Sequence, residues 1–171
     1  LLWDFCGLIA SHKGEQKVHV SQDLFNSKFF EDAQLNYAEN LLSERPQDMA
    51  ALVFWGENDV KTTLTYGEIY QQVARLAAYL KSIGITTGDR VVGYLPNTPE
   101  AVIAMLAATS LGAVWSSCSP DFGMAGLLDR FGQIAPKALF MAEGYFYSGK
   151  HFNCLDKIDD LLQHLPSLDK I

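Results

Sequence analysis

The chain has 171 residues, of which 49% are hydrophobic and 19% charged, and its formal net charge at pH 7 is -7. This composition predicts one globular domain rather than a disordered chain, and the negative charge argues against a general partner among nucleic acids or anionic membranes. The three cysteines contain no CxxC pair, and no apolar run approaches the roughly 20 residues of a membrane span, so we expect a cytoplasmic protein with reduced thiols.

The first part of the chain, residues 1–48, is predicted to be a helical and irregular strap. Apolar residues recur at helical spacing in residues 1–10, which predicts a short helix there. Residues 36–39 read Asn-Tyr-Ala-Glu and resemble a capping box, with Tyr37, Leu41 and Leu42 facing inward from the helix that follows. Residues 49–171 are predicted to form a separate α/β subdomain.

That subdomain opens with a predicted hairpin and the clearest helix of the chain. Residues 50–55 and 61–64 are rich in β-forming side chains and flank a turn at residues 56–59. Thr65 and Glu68 have the spacing of a second capping box, and the apolar stripe from Ile69 to Ile83 predicts a helix that Gly84 ends.

Residues 88–120 predict a strand, a helix and a returning strand. The apolar run at residues 90–95 is typical of a strand buried on both faces. Thr98 is a candidate N-cap and Pro99 fits the first helical position, while Gly112 stands where a left-handed residue ends a helix. Residues 113–117 then return as a strand parallel to the first, in a right-handed crossover.

A further helix is predicted at residues 123–133, a strand at 138–142 and a helix at 155–165. The alternation of strands and helices predicts an α/β fold, with a largely parallel sheet covered by helices. The order of the strands is left open.

The segment at residues 144–151 has the spacing of a phosphate-binding P-loop until its last residue. His151 stands where Mg²⁺ coordination needs a Ser or Thr hydroxyl, and three bulky aromatic residues fill the interior. A loop whose aromatic side chains fold onto the sheet edge is therefore the favoured interpretation. A stand-alone nucleotide-binding module that uses Gly144–Lys150 remains an alternative function, as does a non-catalytic, flavodoxin-like interaction domain.

The residues by themselves predict no catalytic constellation. No GxSxG nucleophile elbow occurs, and no spacing of residues is typical of a metal site. The four histidines fall in loops or at helix ends, and Cys118 is expected to be a buried structural thiol rather than a reactive one. The loops at the carboxyl ends of the strands are the expected ligand-binding surfaces.

Several motifs, in this order, resemble the amino-terminal part of the acyl-adenylate-forming enzymes, the acyl-CoA synthetase superfamily. They are Leu-Thr-Tyr-Gly-Glu at residues 64–68, Gly-Asp-Arg-Val-Val-Gly-Tyr-Leu-Pro-Asn at 88–97, Glu-Ala-Val at 100–102 and Leu-Gly-Ala-Val at 111–114. Leu-Asn-Tyr-Ala-Glu-Asn-Leu-Leu at residues 35–42 indicates the acetyl-CoA-synthetase-like branch. Trp-Ser-Ser-Cys-Ser-Pro-Asp-Phe-Gly at residues 115–123 is most similar to members that activate acetoacetate.

The resemblance implies a two-step ligase reaction. ATP and a carboxylate, here acetoacetate or a similar short acid, yield an acyl-adenylate and pyrophosphate with the help of Mg²⁺, and the thiol of coenzyme A (CoA) then displaces AMP. The family's phosphate loop, adenine motif and catalytic Lys are expected beyond Ile171. The chain is therefore expected to be an inactive amino-terminal fragment that binds no cofactor tightly and has no catalytic or metal-binding residue.

The resemblance also implies contacts with CoA within this chain. Ser119, Pro120 and Asp121 match a segment that flanks the pantetheine arm in related synthetases. Lys150 falls near a basic position that meets the nucleotide phosphate of CoA. The oligomeric state is left open.

Overall fold

The computed structural model describes residues 2–57 and 59–171. The chain divides into two compact units, Leu1–Ser43 and Glu44–Ile171. Two predicted elements include a residue outside the described ranges, namely Leu1 in the first helix and Asn58 in the hairpin turn. The boundary predicted between a strap at residues 1–48 and an α/β subdomain at residues 49–171 remains a prediction.

The N-terminal unit is built from short elements: α1 (Leu2–Phe5), β1 (Val18–His19), a 3-10 turn (Leu24–Asn26), β2 (Lys28–Phe29) and α2 (Tyr37–Leu42). Strands β1 and β2 pair antiparallel. The first helix is much shorter than predicted. It ends at Phe5, and Gly7 has a left-handed backbone with φ of 62°, so Leu8 and Ile9 do not continue the helical face.

Helix α2 begins where the sequence predicts, but one residue of its inward face was predicted wrongly. The Asn36 carboxamide accepts a hydrogen bond from the Glu39 amide at 3.1 Å, so the predicted N-cap is confirmed. Tyr37 is 60% exposed, whereas Ala38 and Leu42 are buried. Residues four apart share a helix face, so Ala38 and Leu42 form the inner one and Tyr37 lies off it.

The second unit opens with the predicted hairpin and helix. Strands β3 (Ala50–Trp55) and β4 (Lys61–Thr65) pair antiparallel. Helix α3 (Tyr66–Ser82) follows directly, and its capping box is complete because Thr65 and Glu68 each bond the other's backbone amide. Gly84 ends it with φ of 86°, as predicted.

A three-stranded parallel sheet forms the centre of the second unit. Its strands are β5 (Arg90–Tyr94), β6 (Val114–Cys118) and β7 (Ala138–Met141), in the order β6-β5-β7. Helix α4 (Pro99–Ser110) joins β5 to β6, and α5 (Met124–Gly132) joins β6 to β7. Val91, Val92 and Tyr94 of the central strand are each 0% exposed, which confirms the prediction of a strand buried on both faces.

The ends of α4 agree with the prediction except at one hydroxyl. Pro99 is the first helical residue, and Gly112 takes a left-handed conformation with φ of 73°. Thr98 occupies the N-cap position, yet its side chain makes no capping hydrogen bond.

The chain after β7 differs from the prediction. Residues 144–153 form a β-hairpin of β8 (Gly144–Tyr147) and β9 (Lys150–Asn153) in place of the predicted loop, which was therefore wrong. A 3-10 turn (Leu155–Lys157) precedes α6 (Ile158–His164), so the predicted last helix starts later than expected. Lys170 bridges to Ala138 in parallel fashion at the outer edge of β7. Among the described residues, no helix has the length and apolar character needed to cross a bilayer.

Polar side chains hold the amino ends of the strands, on the side opposite to the site described below. The Asp89 carboxylate accepts hydrogen bonds from the Thr86 amide at 2.8 Å and from the Lys137 ammonium at 3.1 Å, which together keep the pKa of Asp89 below its usual value. The Arg90 guanidinium donates to the carbonyls of Ile134 at 2.6 Å and Ala135 at 2.7 Å. These bonds join the loop that precedes β5 to the loop that precedes β7.

The absence of a side chain at Gly93 makes room for the indole of Trp115, which leads to a testable prediction. A Cβ at Gly93 would lie 2.7 Å from two ring carbons of Trp115. We expect Gly93→Ala to lower the free energy of unfolding by roughly 1–3 kcal/mol, because the crowded indole must move. Urea denaturation followed by circular dichroism measures the loss.

Two further variants test the cause. Gly132→Ala is the matched control, since a Cβ there meets nothing within 4 Å, and it should not destabilise. In a Trp115→Leu background the Gly93→Ala change should cost clearly less. An equal loss in both backgrounds would contradict the explanation.

Candidate functional site

Three loops meet at the carboxyl edge of the parallel sheet. They follow β5, β6 and β7, and the register of these strands brings Tyr94, Cys118 and Met141 to the same level. Ligands of open α/β sheets bind beyond this edge, so these loops form the candidate site.

The loop after β6 is a tight turn that contains the predicted CoA-contacting residues. The Phe122 amide donates to the Ser119 carbonyl at 3.2 Å, with Pro120 and Asp121 at the centre of the turn. Proline suits the second position of such a turn, and neither central residue has positive φ, so this backbone does not require glycine. Pro120 is buried, whereas Ser119 and Asp121 are exposed and offer the loop's polar groups to a ligand.

A buried tyrosine holds this turn from below. Tyr94 is 0% exposed, and its hydroxyl donates to the Pro120 carbonyl and lies 3.0 Å from the Phe122 carbonyl. The Lys157 ammonium donates to the same hydroxyl at 2.6 Å. At the last residue of the turn, the guanidinium of Arg130 lies 4.4 Å from the centre of the Phe122 ring.

The ionisation states of this pair follow from their surroundings. Burial raises the pKa of Tyr94, and the opposing attraction of Lys157 does not cancel that effect. Burial alone would lower the pKa of Lys157, but the hydrogen bond and the attraction of Tyr94 outweigh it and the pKa rises. At neutral pH the phenol is therefore protonated and donates, while Lys157 is a cation.

The cysteines near this loop are structural. Cys118 is 7% exposed, and burial raises its pKa to about 11, so almost no thiolate is present at neutral pH. Cys154 is fully buried in the same apolar cluster as Tyr94. The expectation that Cys118 is a buried structural thiol is confirmed.

Lys150 lies at the tip of the β8–β9 hairpin. Ser148 and Gly149 connect the strands, and both have positive φ, of 52° and 72°, which is the signature of a type I′ turn. The Cys154 amide donates to the Glu143 carbonyl at 2.8 Å and closes the base of the hairpin. The Lys150 side chain makes no hydrogen bond or ion pair with any residue that the structure describes.

The hairpin excludes a P-loop. A P-loop needs a strand, a glycine-rich loop and a helix whose first amides face phosphate, but here a second antiparallel strand follows the turn. The amides of Ser148 and Gly149 already donate to the Glu57 carboxylate, at 2.8 and 3.0 Å. The Glu57 carboxylate thus occupies the amides that a P-loop would turn toward a phosphate.

Two adjoining cavities lie beside these loops, and the sequence did not indicate them. One of about 490 Å³ is walled mainly by apolar side chains of α3, α4 and β7, with Gln72, Thr98 and Glu100 as polar groups. The other, of about 410 Å³, includes Trp55, Glu57 and Asn97. The two share Pro96, Thr98 and Gly144. The residues that line these cavities are far apart in the sequence and meet only because α3 and β3 pack beside the sheet. A local sequence pattern therefore could not predict the cavities.

The structure brings only some of the predicted site residues together. Ser119, Pro120 and Asp121 share one turn, whereas Lys150 lies at the far end of a four-residue strand from the sheet edge. That their side chains contact CoA remains a prediction. In the described ranges, no group of three or more His, Cys, Asp or Glu residues could hold a metal ion.

Comparison with known proteins gives a consistent result. Residues 39–170 match the family model described as AMP-binding enzyme. Over 172 residues the chain is 45% identical to acetoacetyl-CoA synthetase of Danio rerio, which covers 99% of this chain and 26% of the relative. Acetoacetyl-coenzyme A synthetase of Rhizobium meliloti strain 1021 is 45% identical over 157 residues, which cover 92% of this chain and 24% of the relative.

A solved structure extends the likeness to three dimensions. Acetoacetyl-CoA synthetase from Streptomyces lividans superposes with a TM-score of 0.91 at 39% identity, over 98% of this chain and 26% of that protein. The chain thus spans about a quarter of the length of the relatives that it matches.

The contact between Glu57 and the hairpin turn generates a prediction. Glu57→Ala should speed hydrogen exchange of the Ser148 and Gly149 amides about fivefold, because a net hydrogen bond is worth about 1 kcal/mol. Amide exchange resolved by NMR measures this. Glu143→Ala, which removes an exposed carboxylate at the base of the same hairpin, is the matched control and should leave both amides unchanged. Equal exchange in the wild type and Glu57→Ala would refute a stable contact.

Proposed function

Because the chain belongs to the AMP-binding enzyme family, we propose that it is the amino-terminal part of an ATP-dependent acetoacetate–CoA ligase. The observation that carries this proposal is the 45% identity to an acetoacetyl-CoA synthetase along 99% of the chain. The likeness in structure, with a TM-score of 0.91, supports it. The fold itself would support many functions, so the sequence identity is the stronger support.

The proposed reaction has two steps. The carboxylate of acetoacetate attacks the α-phosphorus of ATP, which forms an acyl-adenylate and releases pyrophosphate. The thiolate of CoA then attacks the acyl carbon, which forms the thioester and releases AMP. We propose that this takes place in the cytoplasm and belongs to lipid metabolism.

The described residues fit one part of this chemistry, a wall of the CoA site. The pantetheine arm carries two amide groups, and the exposed Asp121 carboxylate and Ser119 hydroxyl are suitable partners for them. The exposed Lys150 ammonium suits a phosphate, and no carboxylate neutralises it among the described residues. Asp121 would repel a phosphate, which is why we assign the neutral arm to the turn and the nucleotide to the hairpin.

The same residues do not fit Mg²⁺ or the phosphates of ATP. The described part of the chain has no cluster of metal ligands, and the amides of the turn at Ser148 are occupied by Glu57. We therefore propose that ATP and Mg²⁺ bind in parts of the whole protein outside this chain, and that the catalytic residues lie there as well.

The two alternatives have less support. A stand-alone nucleotide-binding module would require the P-loop geometry at Gly144–Lys150, and that segment is a hairpin. Among the described residues, no specific contact or surface favours a non-catalytic, flavodoxin-like interaction domain.

The first test is activity. We expect the complete gene product to form acetoacetyl-CoA, AMP and pyrophosphate from acetoacetate, ATP, Mg²⁺ and CoA. The 171-residue chain alone should release no pyrophosphate above the blank, because it lacks the ATP site. Coupled pyrophosphate assays and chromatography of the thioester measure both. No thioester from the complete gene product would refute the proposed activity, and turnover by the 171-residue chain would refute its inertness.

The second test concerns Lys150. In the complete gene product, Lys150→Ala should raise KM for CoA roughly three- to fivefold, as expected for an exposed ion pair with phosphate. It should leave KM for 3′-dephospho-CoA unchanged, because that analogue lacks the 3′-phosphate of the nucleotide, which is the phosphate that we assign to Lys150. Lys81→Ala, on the exposed side of α3, is the matched control. If Lys150→Ala raised KM equally for CoA and for 3′-dephospho-CoA, Lys150 would not contact the 3′-phosphate of CoA.

A further inference from the structure

One side chain of the central strand supplies the side-chain hydrogen bonding to the loop that we assign to the pantetheine arm. Among the described residues, Tyr94 is the only one whose side chain hydrogen-bonds residues 119–122: its single hydroxyl proton is donated to the Pro120 carbonyl, and the Phe122 carbonyl lies 3.0 Å from the same oxygen. Tyr94 is the last residue of the central strand and is fully buried. The sheet therefore fixes the position of Tyr94, and the hydrogen bond from Tyr94 fixes the position of the loop relative to the sheet.

Lys157 contacts the same hydroxyl. Its ammonium donates to the Tyr94 oxygen at 2.6 Å and lies 5.0 Å from the centre of the Tyr94 ring. A cation that donates to a phenol strengthens the bond that the phenol donates onward, so Lys157, Tyr94 and the Pro120 carbonyl form a cooperative chain.

The position of Lys157 in the fold links this chain of bonds to the second proposed CoA-binding element. Lys157 lies in the 3-10 turn just after the β8–β9 hairpin, whose base is closed by the bond from Cys154 to Glu143. The hairpin carries Lys150 at its tip. One hydroxyl thus joins the loop at residues 119–122 to the segment that anchors the hairpin.

We propose that Tyr94 and Lys157 are positioning residues for CoA, which hold the turn at residues 119–122 at a set distance from the base of the β8–β9 hairpin. This inference rests on the proposed function, in which the turn and the hairpin contact CoA. Neither residue touches CoA itself. Without the hydroxyl, the carbonyls of Pro120 and Phe122 lose their side-chain hydrogen-bond partner, and the turn loses its hydrogen bond to the central strand.

The experiment uses the complete gene product with the variants Tyr94→Phe and Lys157→Met. Tyr94→Phe keeps the buried ring and removes only the hydroxyl. We expect it to raise KM for CoA about tenfold at saturating ATP and acetoacetate. Acetoacetate-dependent exchange between ATP and pyrophosphate does not involve CoA, so its rate should stay within twofold of wild type. A merely structural loss would reduce both.

The double variant tests the order of action. Because Lys157 acts through the Tyr94 hydroxyl, Lys157→Met should raise KM for CoA about threefold in the wild type and add almost nothing to Tyr94→Phe. Tyr79→Phe and Lys81→Met on the exposed side of α3 are the matched controls and should leave both readouts unchanged.

Each outcome decides the inference. A KM for CoA within twofold of wild type in Tyr94→Phe, or an equal loss in the exchange reaction, would overturn it. If Tyr94→Phe does not fold, the effect of Lys157→Met on KM against exchange decides in the same way. A wild-type protein that forms no CoA thioester would instead refute the proposed function, which separates the two failures.

Discussion

The complete burial of the central strand is the constraint on which the second unit depends. Val91, Val92 and Tyr94 are removed from solvent by β6, β7 and the helices that connect them. Burial on this scale requires that every polar group on the strand has a partner, since an unpaired hydroxyl in such surroundings costs about 1–3 kcal/mol. The Tyr94 hydroxyl meets this requirement by bonding the loop after β6, so the packing of the core also shapes the candidate site.

The same constraint explains the contrast between the two edges of the sheet. At the amino ends, Asp89 and Arg90 bind neighbouring loops through charged hydrogen bonds. At the carboxyl ends, the loops are short and partly exposed, and cavities of about 490 and 410 Å³ lie beside them. Rigid strands that end in accessible loops are the usual arrangement for ligand binding in α/β proteins.

The hairpin at residues 144–153 shows how a spacing pattern can mislead. The glycines and lysine of a P-loop are present, but the sequence also contains Ser148-Gly149 between two β-rich runs, which is a hairpin signal. Strand pairing satisfies the backbone of residues 144–153 in a way that a phosphate-binding loop would not. The contact from Glu57 completes the turn and comes from a residue 91 positions away, which no local pattern contains.

The sequence by itself determined the helices with strong caps, the buried strands and the resemblance to a ligase family, because these depend on local periodicity, on capping residues and on ordered motifs. Thr65 with Glu68 and Gly112 are examples in which the prediction and the structure agree. Only the tertiary structure decided the strand order β6-β5-β7, the cavities, and the bonds from Lys157 through Tyr94 to Pro120. The two hydrogen bonds join residues that are 63 and 26 positions apart in the sequence. Their free energies depend on which surfaces the fold buries together, and a local sequence pattern does not contain that information.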